Sequence, residues 1–110
     1  MSGNPSSPPP RGGGGGGPDG NDCDLNFRTT LASPVAAVIA GLSPGDVLEL
    51  RLEDTRGVRV VVAVTAFGDI AGSIVDHIGQ LIRCIQDGNS YDATVRAVSG
   101  GAVAVGVARA

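Results

Sequence analysis

The sequence lacks lysine and tryptophan, and it contains two phenylalanines, one tyrosine and one histidine in 110 residues. All eight basic residues are arginines, a bias that we interpret as the mark of a GC-rich bacterial genome. With 11 acidic residues the net charge is −3, whereas a broad nucleic-acid-binding surface normally has a basic excess. The composition therefore argues against such a surface, and only a local basic patch stays open.

Long apolar segments and export signals are also missing. There is neither the run of about eighteen apolar residues that a membrane span needs nor a basic start followed by an apolar stretch. We therefore expect a cytoplasmic protein without a membrane partner. The two cysteines, Cys23 and Cys84, lie far apart in the sequence. Without an export signal we expect two reduced, mostly buried thiols, and a structural disulfide is the alternative.

Residues 1–21 contain no aliphatic or aromatic side chain after Met1, so they cannot add to a core. They combine the prolines Pro8–Pro10 with the glycines Gly12–Gly17, a composition that predicts a disordered tail serving as a spacer. A ligand for a proline-recognising domain is the alternative. Residues 22–110 are predicted to form a single domain.

Alternating apolar and polar residues predict six short strands. The predicted strands are Cys23–Leu31, Val47–Glu53, Arg59–Thr65, Ile70–Val75, Tyr91–Val98 and Ala102–Ala108. Pairing Leu52 with Val60 and Leu50 with Val62 matches apolar residues across the second and third strands and sets Glu53 opposite Arg59. Gly72 marks a bend, a bulge or a close backbone approach in the fourth strand.

Two helices are predicted between these strands. Ser33 is expected to cap the first, with Gly41 as its left-handed stop, and Asp76 to cap the second, which ends at Gly88. Gly100-Gly101 predicts a two-residue hairpin before the last strand. The expected fold is mainly β (α+β): a small six-stranded, partly closed β-barrel with two helices, the main helix at one end.

From Leu42 onward the order of these features resembles a HIRAN domain, over roughly residues 42–108. The features that carry the resemblance are the turn with Leu42, Gly45 and Asp46, the valine-rich strand Val60–Val64, the strand with Gly72, Ser73 and Ile74, the helix Ile78–Gly88, and Tyr91, Ala93 and Val95 before the glycine hairpin. HIRAN domains are β-barrels found in helicase-type DNA-remodelling proteins and as stand-alone bacterial proteins, and characterised members bind the 3′ end of single-stranded DNA.

The resemblance implies a non-catalytic module that contacts single-stranded DNA or DNA 3′ ends. The family's Asn-Pro-Tyr-Asp-x-Asn-Ala-Val region would fall at Leu52–Val60, which reads LEDTRGVRV and lacks the aromatic and amide residues. The fold is therefore carried over, and no pocket residue from that region is. The alternative function is a small protein–protein interaction or adaptor subunit of a larger bacterial assembly, without DNA binding.

Eight side chains are candidates for nucleic-acid contact. Arginines can bind phosphates, exposed aromatic rings can stack on bases, and a histidine at a helix start can contact a phosphate or a base. The alternatives are a solvated sheet face for the arginines, core positions for the two aromatic residues, and an exposed helix start for the histidine. The candidates are Arg28, Arg51, Arg56, Arg59, Phe67, His77, Tyr91 and Arg96.

No set of residues predicts catalysis, a cofactor or a metal. The single histidine would have to serve any catalytic triad, and no nucleophile motif surrounds Ser73 or Ser90. His77, Cys84 and Cys23 do not have the spacing of a metal site. We therefore expect a binding module rather than an enzyme.

Overall fold

Six strands and two helices make up residues 23–110, the part of the chain that the computed structural model describes. The predicted tail, residues 1–21, lies outside the described residues, as does Asp22. The elements are β1 (Asn26–Thr30), α1 (Ala36–Ile39), β2 (Val47–Thr55), β3 (Val58–Val64), β4 (Ile70–Ile74), α2 (Ile78–Gln86), β5 (Tyr91–Ser99) and β6 (Ala102–Arg109). The prediction of a mainly β fold with six strands and two helices is confirmed.

All six strands form one antiparallel sheet in the order β1-β6-β5-β2-β3-β4. The sheet is not closed into a barrel, because β1 and β4 lie at its two ends. One isolated bridge connects these ends: Ala32, just after β1, and Ser73 of β4 exchange backbone hydrogen bonds of 2.8 and 2.9 Å. The predicted barrel is therefore an open sheet whose ends touch at a single point.

The inner face of the sheet carries the core. Leu48 and Leu50 of β2 are buried, whereas Glu49 and Arg51 between them are exposed, as the period-two pattern predicts. The three valines of β6 are fully buried on the same side. The helix α2 packs against β3 and buries Leu81 in this core.

The register of β2 and β3 differs from the predicted one by one residue. The observed partners are Leu52 with Val61, Leu50 with Ala63 and Asp54 with Arg59. The predicted partners, Val60 for Leu52, Val62 for Leu50 and Arg59 for Glu53, are wrong. The acidic partner of Arg59 is Asp54, whose Oδ1 lies 3.6 Å from the arginine Nε.

This shift in register arises at the β2–β3 turn. Thr55 pairs with Val58, so only Arg56 and Gly57 form the loop. Both have positive φ, 53° and 79°, as a type I′ turn requires. The predicted loop was longer, from Asp54 to Val58, whereas the two-residue turn needs a left-handed conformation at Arg56 that non-glycine residues seldom adopt. Gly100-Gly101 does form the predicted two-residue hairpin between β5 and β6.

The predicted cap of the first helix is wrong. Ser33 lies outside α1, in a left-handed conformation with φ of 47°, and Val35 occupies the N-cap position without a side-chain hydrogen bond. The helix is short and ends at Ala40 as C-cap, so Gly41 is not a left-handed stop. One turn of helix is held here by tertiary contacts: the Val35 N–H donates to the Ala71 carbonyl of β4 at 2.9 Å.

The second helix is not capped by Asp76 either. His77 is the N-cap residue, with φ of 55° and no side-chain cap. The Asp76 carboxylate instead accepts a hydrogen bond from the Thr29 hydroxyl at 2.5 Å. This contact joins β1 to the segment that leads into α2, so the side chain stabilises tertiary structure rather than the helix end.

Cys23 and Cys84 form a disulfide, so the prediction of two reduced thiols is wrong. The bond connects the segment before β1 with α2 across 61 residues of sequence, and Cys84 is fully buried. The Tyr91 hydroxyl donates a hydrogen bond to the Cys23 carbonyl oxygen. The proximity of the two cysteines follows from the way α2 covers the sheet, which sequence spacing does not reveal.

Gly72 is a close-approach position, one of the predicted alternatives. A Cβ atom at Gly72 would lie 3.0 Å from the Ala32 carbonyl oxygen and 3.1 Å from the Leu31 Cβ. We expect Gly72→Ala to lower the free energy of unfolding by about 2 kcal/mol, since backbone must move to admit the methyl group. Gly79→Ala is the matched control: nothing lies within 4 Å of that position in α2. There alanine should raise the free energy of unfolding by about 0.5–1 kcal/mol.

Urea unfolding followed by circular dichroism measures both changes. A Gly72→Ala protein as stable as the wild type would show that β4 and the Leu31–Ala32 segment are not in close contact.

Candidate functional site

Phe67, in the turn between β3 and β4, is 92% exposed, more than any other large apolar side chain of residues 23–110. The turn is fixed by Thr65, whose hydroxyl accepts hydrogen bonds from the N–H groups of Phe67 and Asp69, each at 3.2 Å. The Thr65 N–H donates to the Asp69 carbonyl at 2.8 Å, and the Gly68 N–H donates to the Thr65 carbonyl at 2.9 Å. Four hydrogen bonds thus hold the aromatic ring out into solvent.

A groove of about 540 Å³ opens beside Phe67, between α1 and the β3–β4 turn. Most of its lining is apolar. Ala37, Val38 and Leu42 line it on the α1 side, and Val47, Ala66 and Phe67 line it on the other. We call this cleft the Phe67 groove.

The charged side chains around Phe67 are mostly acidic. Asp46 and Asp69 are the charged residues that line the Phe67 groove. A second depression, of about 370 Å³, shares Val47 and Phe67 with it and adds Glu49, Asp92 and Arg51. The Arg51 guanidinium is already paired with the Glu49 carboxylate at 3.0 Å. The surroundings of Phe67 therefore favour a cationic ligand.

Comparisons with protein-family models, with curated proteins and with solved structures find no match. The resemblance to HIRAN domains therefore stays a prediction, and the candidate site is judged on its own geometry.

The described residues contain neither a cluster of metal ligands nor a membrane-spanning helix. Within residues 23–110, no group of three histidine, cysteine or acidic residues could hold a metal ion. Both cysteine sulfurs are joined to each other, so neither is a free thiolate ligand. Neither helix of this region has the length and hydropathy that crossing a bilayer requires.

The predicted arginines fall in two separate places. Arg51, Arg56 and Arg59 lie on the β2–β3 hairpin, where Arg51 and Arg59 have the acidic partners Glu49 and Asp54. Arg56 lies before the start of β3 and Phe67 lies after its end, and the seven residues of this strand span about 20 Å. Arg56 and Arg59 therefore do not form one continuous site with the exposed aromatic ring, whereas Arg51 lines the second depression together with Phe67.

Arg28 and Arg96 lie on the outer face of the sheet, on either side of Gly106 in β6. Arg28 is the cross-strand partner of Gly106. The Arg96 side chain lies over the same residue, because a Cβ atom at Gly106 would meet the arginine Nε at 3.0 Å. Neither arginine has a carboxylate partner among the described residues. This pair is the most available basic feature of the predicted set.

Tyr91 is no longer a candidate for base stacking. Its ring is 1% exposed and its hydroxyl donates to the Cys23 carbonyl, so neither face is open to a ligand. His77 is exposed, and its ring centroid lies 4.5 Å from that of Phe27, with the planes tilted by 49°. A phosphate or base contact by His77 stays a prediction.

The groove itself was not found from the sequence. Its α1 side lies about thirty residues before the β3–β4 turn, and only the fold brings the two together. Two signals did exist. Phe67 lies between turn residues, and Val47 occupies the solvent-facing side of β2, where it is 54% exposed. Large apolar residues at two exposed positions of one neighbourhood indicate a binding surface.

Proposed function

We propose that residues 23–110 form a non-catalytic protein-interaction module, which binds a short segment of a partner protein in the Phe67 groove. The observation that carries this proposal is the 92% exposure of Phe67 on a hydrogen-bonded turn beside a mostly apolar groove. Aromatic side chains on a fixed backbone bind with little loss of conformational entropy and are frequent interface hot spots. The adaptor role in a larger bacterial assembly, predicted as the alternative, fits this surface.

The partner segment should carry an apolar side chain next to an arginine or lysine. The apolar residue would fill the groove between Val38 and Phe67, where both proteins would remove apolar surface from contact with water. The basic residue would lie near Asp46 and Asp69, the charged groups of the lining. Complementary charge of this kind contributes mainly to specificity and association rate.

A display library of random twelve-residue peptides, selected on the immobilised full chain, tests the proposal. We expect selected peptides to share an apolar residue flanked by arginine or lysine. Phe67→Ser should weaken their binding at least tenfold, because the central aromatic contact is lost. Val58→Ser is the matched control: Val58 is also exposed, at 60%, but lies at the start of β3, away from the groove.

Selected peptides that bind the Phe67→Ser protein as tightly as the wild type would contradict the groove as the binding site. Failure to enrich any peptide that distinguishes the two proteins would also count against the proposal.

Binding of single-stranded DNA or DNA 3′ ends is the second candidate function. It is supported by Arg28 and Arg96, which lie next to each other at Gly106 of β6 and have no carboxylate partner among the described residues. Anisotropy titration of labelled oligonucleotides with free and blocked 3′ ends tests it. Binding that weakens with salt and is lost in the Arg28→Ala/Arg96→Ala protein would support this function. A flat titration at low salt would leave the protein-interaction module.

A cytoplasmic location stays a prediction, and the Cys23–Cys84 disulfide weighs against it. Disulfides persist in oxidising compartments and are rare in the reducing cytosol. The proposed partner should therefore be sought first among proteins of an oxidising compartment.

A further inference from the structure

This inference rests on the proposed function and concerns what fills the Phe67 groove before a partner arrives. We propose that the groove binds the Pro8–Pro9–Pro10–Arg11 segment of the same chain, which a partner segment must displace. The segment is thus an autoinhibitory ligand of the groove. This role accounts for the run of three prolines, which a simple spacer would not require.

The chemistry of the segment matches that of the groove. Proline-rich segments bind aromatic-lined grooves because their backbone is already restricted, so binding costs little conformational entropy. Phe67 offers an exposed ring, and Val38 and Val47 offer apolar surface for the neighbouring prolines. Arg11 follows the last proline directly and is the one basic residue before Cys23.

Charge complementarity sets the position of Arg11. The charged residues lining the groove are Asp46 and Asp69, and neither has an arginine partner among the described residues. Asp46 is held in place, since its Oδ2 accepts the Ser43 N–H at 2.9 Å. A guanidinium beside these carboxylates would gain charge-assisted hydrogen bonds that proline alone does not provide.

The chain is long enough for this contact. Twelve positions separate Arg11 from Cys23, and an extended chain of that length reaches about 40 Å. Cys23 contacts Tyr91 of β5, and this strand pairs with β2 over Val47–Glu49, where Val47 lines the groove. The path through these neighbouring residues is about 25 Å long, within the reach of the extended chain. Cys23 itself is fixed to α2 by the disulfide and to Tyr91 by a hydrogen bond.

Attachment to the domain makes even a weak segment effective. A short linker gives an effective concentration of about 1 mM, so a segment with a dissociation constant of about 0.1 mM would fill the groove in about 90% of molecules. The apparent affinity for an added ligand then falls about tenfold, because only the unoccupied fraction is competent to bind.

A labelled synthetic peptide of residues 4–12, NPSSPPPRG, is the probe for the test. The full chain with Pro8→Ser/Pro9→Ser/Pro10→Ser/Arg11→Ser should bind it about tenfold more tightly than the wild type. The Pro5→Ser/Pro18→Ser protein is the matched control, which alters prolines outside the segment and should behave like the wild type. Adding Phe67→Ser to the Pro8–Arg11 variant should abolish binding.

Four results would overturn this inference. Equal binding by the wild type and the Pro8–Arg11 variant would show that the segment does not occupy the groove. Binding to neither, while library peptides still need Phe67, would reject this occupant and leave the proposed function standing; failure of both probes would reject both. A tenfold difference that vanishes on dilution of the protein to nanomolar concentration would place the segment in the groove of a second copy.

Discussion

Reduction of the Cys23–Cys84 disulfide is expected to lower the free energy of unfolding by about 4 kcal/mol. The bond closes a loop of 61 residues, and a loop of that length restricts the unfolded chain strongly in the chain-entropy model. For a domain of fewer than a hundred residues this loss lowers the melting temperature by about 15 °C or more. The effect should be large because the bond fixes α2 against the segment that precedes β1.

Thermal unfolding followed by circular dichroism, with and without a phosphine reductant, measures this effect. The Cys23→Ala/Cys84→Ala protein should melt at the lower temperature in both conditions, which separates loss of the bond from other effects of the reductant. Alanine is preferred to serine because a serine hydroxyl at the fully buried position 84 would need a new partner. An unchanged melting temperature of wild-type protein, with both thiols shown to be free by mass spectrometry, would contradict a stabilising disulfide.

Tyr91→Ala is expected to lower the free energy of unfolding by about 3–5 kcal/mol. Tyr91 is the largest of the fully buried side chains, and it lies in the same cluster as Leu48 and Leu81. Removing the ring leaves a cavity and also removes the hydrogen bond to the Cys23 carbonyl. The sequence left this residue either as a base-stacking ring or as a core residue, and its burial confirms the core alternative.

Tyr91→Phe separates the two contributions. It keeps the ring and leaves the Cys23 carbonyl without this donor, which should lower the free energy of unfolding by about 1–2 kcal/mol. Urea unfolding of both proteins provides the comparison. Stability of Tyr91→Ala within about 1 kcal/mol of the wild type would show that position 91 is not part of a close-packed core.

The strand pattern was predictable because burial on one face imposes a period of two. Val103, Val105 and Val107 alternate with small residues, and this alternation located β6 before its partners were known. The Gly100-Gly101 turn was equally predictable, since glycine readily adopts positive φ. These features depend on neighbours in sequence, and for that reason the sequence reveals them.

Features that depend on distant parts of the chain were not predictable in this way. One local feature was not predictable either: the β2–β3 register requires Arg56 to take a left-handed conformation, which residue preferences disfavour. The Cys23–Cys84 bond required knowledge of where α2 lies over the sheet. The Phe67 groove likewise forms only when the first helix and the β3–β4 turn meet, and neither segment alone indicates a cleft.

Phe67 lies outside the core, so its exposed ring is available for binding and is not needed for stability. The antiparallel sheet and α2 build a core that uses one face of the sheet, and the disulfide secures it. The aromatic ring stands outside this core, on a turn with its own hydrogen bonds. Substitution at position 67 should therefore change binding with little change in stability, as expected for an interaction residue.

The most direct test of the Phe67 groove as the binding surface is an amide map by nuclear magnetic resonance. The best library peptide is titrated into the ¹⁵N-labelled full chain. We predict chemical-shift changes at groove residues such as Ala37, Leu42 and Ala66, and none at Arg28 or Arg96 on the outer face. Changes centred on Arg28 and Arg96, with the groove amides unmoved, would contradict this account and place binding on the other side of the molecule.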